Sequence, residues 1–203
     1  GAYIPTYYML PELTQEWGVT AFTEDKDGGL WMGTSSQGIY KFENSVFVYK
    51  NKILNIKPSS FFMLLCDKNN IIYGATLNGL WFYDVKNKTQ TFISEKEGLN
   101  SELIYSLKFV DDENGIWIGT NQGINKLDLK KYRESKTVAI KSYGKTEGFT
   151  GIECNNYGIW EDKDGTMWFG TVNGIVKYEP KAFKENKVLS KTYFHSITVQ
   201  NQG

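Results

Sequence analysis

Histidine, arginine and cysteine are scarce in this chain of 203 residues, which has one histidine, His195, and one arginine, Arg133. A single histidine leaves no basis for a histidine-dependent catalytic triad or a histidine-rich metal site. A single arginine cannot form a cluster for gripping carboxylates or phosphates. The two cysteines, Cys66 and Cys154, form neither a CxxC motif nor a disulfide framework. We therefore expect no catalytic residues, no metal and no cofactor.

Excess charge of either sign is also missing, since 23 basic residues balance 23 acidic ones. This balance argues against nucleic acid as a partner and favours a neutral ligand. The longest purely apolar run, Phe61–Cys66, is far shorter than the roughly 18–20 residues that cross a bilayer. We expect no membrane contact within the chain. It begins with Gly1 and lacks the pattern of a signal peptide, so we expect a processed chain or a piece of a longer one.

Aromatic residues and glycine are plentiful, and they recur in a fourfold repeat. Each copy has an acidic turn followed by an aromatic anchor in the pattern Trp-x-Gly-Thr, and then Gly with an apolar run. The copies are residues 21–34, 63–76, 107–120 and 158–171, with the anchors Trp31, Tyr73, Trp117 and Trp168. The second copy departs from the pattern with Tyr73-Gly-Ala-Thr76. A period of about 40 to 50 residues with short β-type segments is typical of propeller blades.

The predicted fold class is all-β: about four β-propeller blades of four antiparallel strands each, forming a partial propeller or a fragment. Residues 1–18 would be the outer strand of a preceding blade, placed at Tyr3–Leu10, with its connection. We interpret Lys130–Gly148 as an insertion on the surface. The remaining predicted ranges are 19–60 for blade 1, 61–100 for blade 2, 101–148 for blade 3 with its insertion, 149–184 for blade 4, and 185–203 for a linker and the first strand of a following domain.

The acidic turns at Asp25, Asp67, Asp111 and Asp162 are open to two interpretations. Calcium binding of the EF-hand type needs a bidentate glutamate later in the loop, and none stands at that spacing. Closure of a tight hairpin by aspartate is the better interpretation. The tryptophans Trp31, Trp81, Trp117 and Trp168 recur at repeat positions and are predicted to pack in the core.

A candidate ligand site follows from the direction of the strands. The turn between the second and third strands of a blade lies on the same face as the connection that enters the first strand. Amides and one aromatic on that face suit a neutral sugar, although asparagine is also a common turn residue. The predicted ligand-binding residues are Trp17, Asn78, Asn121, Gln122, Glu153, Asn155, Asn156 and Asn173. Glu153 is the most plausible acid, with hydrogen bonding to loop amides as its structural alternative.

The pattern Glu-Asp-x-x-Gly-x-(Leu or Met)-Trp-x-Gly-Thr with a later Gly-Ile, at residues 24–39 and 161–175, resembles the two-component regulator propeller repeat (Reg_prop). The resemblance covers about residues 21–180. It implies the C-terminal part of the periplasmic sensor region of a bacterial hybrid histidine kinase, with an oligosaccharide as the ligand. It also implies that an immunoglobulin-like triple-tyrosine (Y_Y_Y) domain begins near Tyr193–Val199. A membrane span and a kinase would follow outside this chain.

Two alternatives stay open at this point. The chain could be a carbohydrate-active enzyme on a propeller, such as a glycosidase or lyase, or a structural propeller without a ligand. Exposed edges of the end blades predict a homo-oligomer, either a dimer or a ring made from two copies. Alternatively, Tyr3–Leu10 could supply the missing outer strand of blade 4 and close a four-bladed ring.

Overall fold

Short antiparallel strands dominate the computed structural model, which describes residues 6–8, 10, 18–56, 59–151 and 153–180. Blade 1 consists of β1 (Val19–Glu24), β2 (Leu30–Thr34), β3 (Ile39–Glu43) and β4 (Val46–Tyr49). Blade 2 consists of β5 (Phe61–Cys66), β6 (Ile71–Thr76), β7 (Gly79–Asp84) and β8 (Thr89–Ile93). Each strand pairs with the next in sequence order.

Blades 3 and 4 repeat this order. Blade 3 consists of β9 (Ile104–Val110), β10 (Gly115–Thr120), β11 (Gly123–Asp128) and β12 (Ile140–Tyr143). Blade 4 has three strands in the described residues, β13 (Cys154–Glu161), β14 (Met167–Thr171) and β15 (Gly174–Tyr178). The helices are α1 (Asn51–Leu54) and α2 (Leu129–Ser135), with 3₁₀ turns at Glu95–Glu97 and Lys145–Glu147. No helix in these ranges has the length and apolar character that crossing a bilayer requires.

The blades stack around an axis through their first strands, since β1 contacts β5, β5 contacts β9 and β9 contacts β13. The core lies between successive sheets, with Trp31 and Trp81 between blades 1 and 2. Tyr73 and Ile116 belong to the cluster between blades 2 and 3. Trp117 belongs to the cluster between blades 3 and 4. The predicted propeller fold is confirmed, whereas the exact limits of the blades stay predictions.

The threonine and glycine of the repeat close the turn between the second and third strands. In every blade the threonine hydroxyl donates a hydrogen bond to the carbonyl of the glycine that opens the third strand. The pairs are Thr34–Gly38 at 3.0 Å, Thr76–Gly79 at 2.7 Å, Thr120–Gly123 at 3.0 Å and Thr171–Gly174 at 3.0 Å. These glycines have φ between 101° and 136°, a region that side chains rarely adopt. The turn geometry therefore explains this part of the repeat.

In the acidic turn of blade 1 the aspartate side chain closes the hairpin, as predicted. Asp25 accepts hydrogen bonds from the amides of Asp27 at 3.1 Å and Gly29 at 2.7 Å, and from the indole Nε1 of Trp31 at 2.8 Å. Lys41 adds an ion pair to the same carboxylate at 3.0 Å. Burial alone would raise the pKa of Asp25, but the hydrogen bonds from Trp31, Gly29 and Lys41 outweigh it and lower the pKa. Asp67 accepts a hydrogen bond from the Tyr73 hydroxyl at 3.0 Å and Asp162 from Trp168 Nε1 at 2.8 Å, whereas Asp111 pairs with Lys126 at 2.7 Å.

Residues 130–137 are mostly exposed, which agrees with a surface excursion, but this part of the insertion is a helix with buried contacts. Residues 129–135 form α2, in which Leu129 and Tyr132 are buried. The Tyr132 ring packs edge-on against Phe82 of blade 2, with centroids 5.2 Å apart. Arg133 Nη2 reaches Asp67 Oδ2 in blade 2 at 3.1 Å. The helix therefore joins blades 2 and 3, and its polar residues are those on the solvent side.

The described residues do not support the alternative in which Tyr3–Leu10 closes a four-bladed ring. Residues 6–8 and 10 form no strand, and Tyr8 packs edge-on against Phe42 and Phe47 of blade 1 at 5.5 and 5.9 Å. Within the described ranges β15 pairs with β14 alone. Trp168 is partly exposed rather than in the core. The predicted strand near Tyr193–Val199 lies outside the described residues.

Candidate ligand site at the propeller axis

The first strand of each blade carries a bulge where it enters the sheet. In blade 1, Val19 pairs with Thr34 and Ala21 with Gly33, so Thr20 is the extra residue. Phe62 in blade 2 and Tyr105 in blade 3 occupy the same place. A bulge turns side chains away from the regular alternation of a strand. The extra residues of all blades therefore lie at the same end of the inner strands, which we call the mouth of the axis.

Blade 4 has a much larger bulge at this position. Cys154 pairs with Thr171 and Ile159 with Phe169, so the four residues 155–158 stand opposite Gly170 alone. Asn155, Asn156 and Tyr157 are exposed. A Cβ atom on Gly158 would lie 2.9 Å from the carbonyl oxygens of Asn155 and Gly170, so the tight loop needs glycine there. The bulge presents two amides and a phenol at the mouth.

Tyr157 links blade 4 to the opposite side of the mouth. Its hydroxyl lies 2.6 Å from the carbonyl oxygen of Thr20 and 3.2 Å from that of Phe62. A phenol has a single proton, so it donates to one carbonyl or is shared between the two. The backbone of Tyr157 has φ of 58°, an uncommon value for a bulky residue. The bulge thus connects blade 4 with blades 1 and 2 through one side chain.

An aromatic pair and a carboxylate complete the mouth. The rings of Phe62 and Tyr105 are tilted against each other, with centroids 5.5 Å apart. Burial raises the pKa of the Tyr105 hydroxyl, and so do the hydrogen bond that this hydroxyl donates to Glu153 and the negative charge of Glu153. The backbone carbonyl of Glu153 also accepts a hydrogen bond from the backbone amide of Val172, at 3.0 Å. Aromatic rings and hydrogen-bonding groups therefore lie side by side at the mouth.

The structure brings together only part of the predicted ligand-binding set. Glu153, Asn155 and Asn156 lie at the mouth. Gln122 and Asn173 are exposed on the turns of blades 3 and 4. Asn121 is half-buried, and its backbone N–H donates a hydrogen bond to the carbonyl of Leu103 at 3.3 Å. Trp17 lies outside the described residues.

Asn78 belongs to a separate cleft between blades 1 and 2. The cleft has a volume of about 360 Å³ and is lined by Asn55, Ile56, Ser59, Asn78 and Phe92. The Asn78 side chain donates to the hydroxyl of Ser59 at 3.0 Å. Within the described ranges, no group of three or more His, Cys, Asp and Glu side chains is placed to hold a metal ion.

Sequence reasoning missed the aromatic part of the mouth, namely Phe62, Tyr105 and Tyr157. One signal was available for Tyr157, since Asn155-Asn156-Tyr157-Gly158 interrupts the apolar alternation of a strand and ends in glycine. Phe62 and Tyr105 stand in apolar strands, where aromatic residues usually indicate core packing.

These blades define the chain as a segment of a β-propeller. Residues 14–36 match the family described as two component regulator propeller. Among curated proteins, Histidine kinase P4 of Formosa agariphila is 30% identical over 123 residues, which is 60% of this chain and 8% of that protein. The chain thus spans less than a tenth of the relative that it matches.

Solved structures give the same fold. The extracellular domain of a hybrid two component system from B. thetaiotaomicron matches with a TM-score of 0.67 and 22% identity, over 80% of this chain and 22% of that one. A second extracellular domain of such a system from the same organism matches with a TM-score of 0.64 and 22% identity, over 83% of this chain and 24% of that one. Virginiamycin B lyase from Staphylococcus aureus matches with a TM-score of 0.57 and 18% identity, over 87% of this chain and 61% of that one.

Proposed function

We propose that this chain is part of the ligand-sensing propeller of an extracytoplasmic sensor in a two-component system, located in the periplasm. The match of residues 14–36 and the similarity to a histidine kinase support the signalling class. The fold shared with extracellular domains of such systems supports the location. The chain would then detect a ligand and leave the phosphoryl-transfer chemistry to another part of the protein.

The ligand that we propose is a neutral oligosaccharide bound at the mouth of the axis. The observation that carries this proposal is the four-residue bulge of blade 4, which sets two exposed amides and Tyr157 next to Phe62 and Tyr105. Amides exchange hydrogen bonds with sugar hydroxyls, and aromatic faces stack on the C–H side of a pyranose. The zero net charge and the single arginine favour an uncharged sugar over an acidic one.

Tyr157 could couple ligand binding at the mouth to the contact between blade 4 and blades 1 and 2. A sugar hydroxyl that accepts the phenol proton would compete with the backbone carbonyls of Thr20 and Phe62. The link from blade 4 to blades 1 and 2 would then differ between the free and the bound protein. A signal requires that the ligand bind one of these arrangements more tightly than the other.

Binding suits the mouth better than hydrolysis does. Glycoside hydrolysis generally uses two carboxylates on opposite sides of the scissile bond. The carboxylate at the mouth, Glu153, is instead engaged by the Tyr105 phenol. This pairing fits a residue that orders a binding surface.

Calorimetric titration with a panel of neutral oligosaccharides, made of glucose, mannose, xylose and galactose units, tests the proposal. We expect at least one sugar to bind with a Kd from about 1 μM to 1 mM. The double variant Asn155→Ala with Asn156→Ala should weaken binding by about tenfold or more, since each lost hydrogen bond costs about 0.5–1.5 kcal/mol. Failure of every sugar to bind would refute the choice of ligand.

Asn173→Ala is the matched control, because Asn173 is an exposed amide of the same blade outside the bulge. This variant should bind like the unmodified chain. An equal loss in the control and in the double variant would move the site from the mouth to the outer turns. Acidic oligosaccharides in the same panel should bind more weakly than neutral ones of equal length.

A further inference from the structure

Helix α2 shows how one blade of this propeller covers the blade before it. The helix follows the third strand of blade 3 and lies against blade 2. Its Tyr132 ring packs edge-on against Phe82, with centroids 5.2 Å apart. Its Arg133 guanidinium lies 3.1 Å from the Asp67 carboxylate, whose side chain is fully buried. One ring and one cation on a short helix thus cover the acidic turn and the third strand of blade 2.

Blade 3 has a cleft at the place where α2 covers blade 2. By position in the repeat, Asp111 corresponds to Asp67 and Lys126 to Phe82. The side chains of Asp111 and Lys126 form an ion pair at 2.7 Å, yet they are 61% and 34% exposed. The cleft beside them has a volume of about 470 Å³, and Ala139 also lines it. Among the described residues, none covers this part of blade 3 as α2 covers blade 2.

The last strand of blade 4 ends beside this cleft. Tyr178 of β15 packs against Trp117 and Tyr143 of blade 3, with centroids 5.4 and 5.6 Å apart. Two lysines that line the cleft lie over the same two rings. Lys126 Nζ is 5.6 Å from the Trp117 centroid, and Lys141 Nζ is 5.1 Å from that of Tyr143. The chain therefore reaches the edge of the cleft where β15 ends.

The sequence after β15 repeats that of α2. Residues 128–135 read Asp-Leu-Lys-Lys-Tyr-Arg-Glu-Ser, and residues 179–186 read Glu-Pro-Lys-Ala-Phe-Lys-Glu-Asn, at the same distance from their turn glycines. Phe183 thus stands at the position of the α2 ring, and Lys184 at that of its cation. Pro180 has 3₁₀ conformation, and proline is favoured in the first turn of a helix. Blade 4 therefore carries the sequence of a covering helix.

We propose that residues 181–186, which lie outside the described residues, form the counterpart of α2 and cover the cleft on blade 3. Phe183 would fill the cleft, where the stem of Lys126 offers apolar surface and its ammonium a cation for the ring face. Lys184 would pair with the exposed carboxylate of Asp111, as Arg133 does with Asp67. The chain that follows β15 would then be held to blade 3 as well as to blade 4.

The proposal is independent of the ligand at the mouth. Asp111 directly follows β9, whereas Tyr105 lies at the start of the same strand. The cleft and the mouth are therefore at opposite ends of blade 3, and either could be wrong without the other.

Hydrogen–deuterium exchange of the whole chain, followed by mass spectrometry, tests the proposal. We expect the backbone amides of residues 184–187 to exchange at least tenfold more slowly than in a free peptide of the same sequence, because hydrogen bonds in a docked helix protect them. Phe183→Ser should bring them to within about twofold of the free-peptide rate. Phe194→Ser is the matched control, since it makes the same change outside the repeat of α2 and should leave these amides protected. Exchange in β10 should stay unchanged in both variants, because the blades stay folded.

A zero-length carbodiimide cross-link shows where the segment lies. We expect a link between Lys184 and Asp111, with the link between Lys126 and Asp111 as the internal reference, since that pair is 2.7 Å apart. The Lys184 link should disappear in Phe183→Ser, although both linked residues are kept. Ala139→Arg, which fills the cleft from the side of blade 3, should remove both the link and the protection.

Four results would each overturn the proposal. The first is free-peptide exchange at residues 184–187 in the unmodified chain. The second is protection that survives Phe183→Ser or Ala139→Arg. The third is protection that Phe194→Ser removes as well. The fourth is a protected segment that forms no link to Asp111, which would place the helix elsewhere.

Discussion

Adding one methyl group at Gly119 tests how the blades pack against each other. The new Cβ of Gly119→Ala would lie 2.8 Å from the Cβ and 3.1 Å from the Sγ of Cys154. Carbon atoms in contact normally stay about 3.5–4.0 Å apart, so blades 3 and 4 would have to separate locally. Such overpacking costs about 1–3 kcal/mol. Alanine in place of glycine restores about 0.4–1 kcal/mol by restricting the unfolded chain.

The net expectation for Gly119→Ala is a loss of about 1–2 kcal/mol in the free energy of unfolding. Gly170→Ala is the matched control, because its new Cβ would meet its first neighbours at 3.7 Å, an ordinary contact. This variant should be neutral or more stable by about 0.4–1 kcal/mol. Blade 2 has alanine, Ala75, at the same position, so the interface can adjust and the cost stays bounded.

Urea unfolding followed by tryptophan fluorescence measures the difference, at a concentration low enough to keep the chain monomeric. We expect Gly119→Ala to unfold at lower urea than the unmodified chain, and Gly170→Ala at equal or higher urea, with similar slopes. Thermal midpoints should shift by about 2–4 °C for each kcal/mol. Equal midpoints for the two variants would refute the account of blade packing given above.

Three further predictions concern Asp25, Arg133 and the thiols. The lowered pKa of Asp25 means that its carboxylate stabilises the fold at neutral pH, and this contribution should disappear as the pH falls from about 5 to 2. In acid unfolding, Asp25→Asn should therefore lose less free energy of unfolding over this pH range than the unmodified chain. Arg133→Met leaves the fully buried side chain of Asp67 without its cation, so the free energy of unfolding measured in urea should fall by about 3–5 kcal/mol. Lys68→Met is the control: its ion pair to Asp112 is exposed, so its loss should be at most about 1 kcal/mol. Burial raises the pKa of Cys66 to about 11 and that of Cys154 to about 12, so both should react slowly with a thiol reagent at pH 8, Cys154 more slowly, and labelling at the rate of a free thiol would contradict this.

Local chemistry made much of the fold predictable. The spacing of the anchor aromatics indicates blades, and the Asp-to-Trp separation of six residues lets one carboxylate bind both its own turn and the indole. The apolar run Val46–Tyr49 forms the outer strand of blade 1. Such features depend on residues close in sequence, so a single chain is enough to find them.

The candidate site was predictable only in part. Glu153, Asn155 and Asn156 were predicted because the connection into the first strand and the turn after the second strand lie on one face of the propeller. The contribution of Phe62 and Tyr105 could not be found, because apolar residues in strands look alike whether they face a neighbouring blade or the axis. Their direction is set by the bulge in the strand pairing, which a pattern of single residues does not encode.

The amino-acid sequence alone determined the repeat, the hairpin turns and the propeller class, since the turns follow from local hydrogen bonds and the class from a period of about 40 to 50 residues. Tertiary structure alone decided that Leu129 and Tyr132 of α2 are buried, that Tyr157 bonds to the backbone of blades 1 and 2, and that Trp168 is partly exposed while Trp117 is covered. Trp117 and Trp168 stand in nearly identical local sequences. Their difference in burial depends on whether another sheet packs against them, which is a property of distant parts of the molecule.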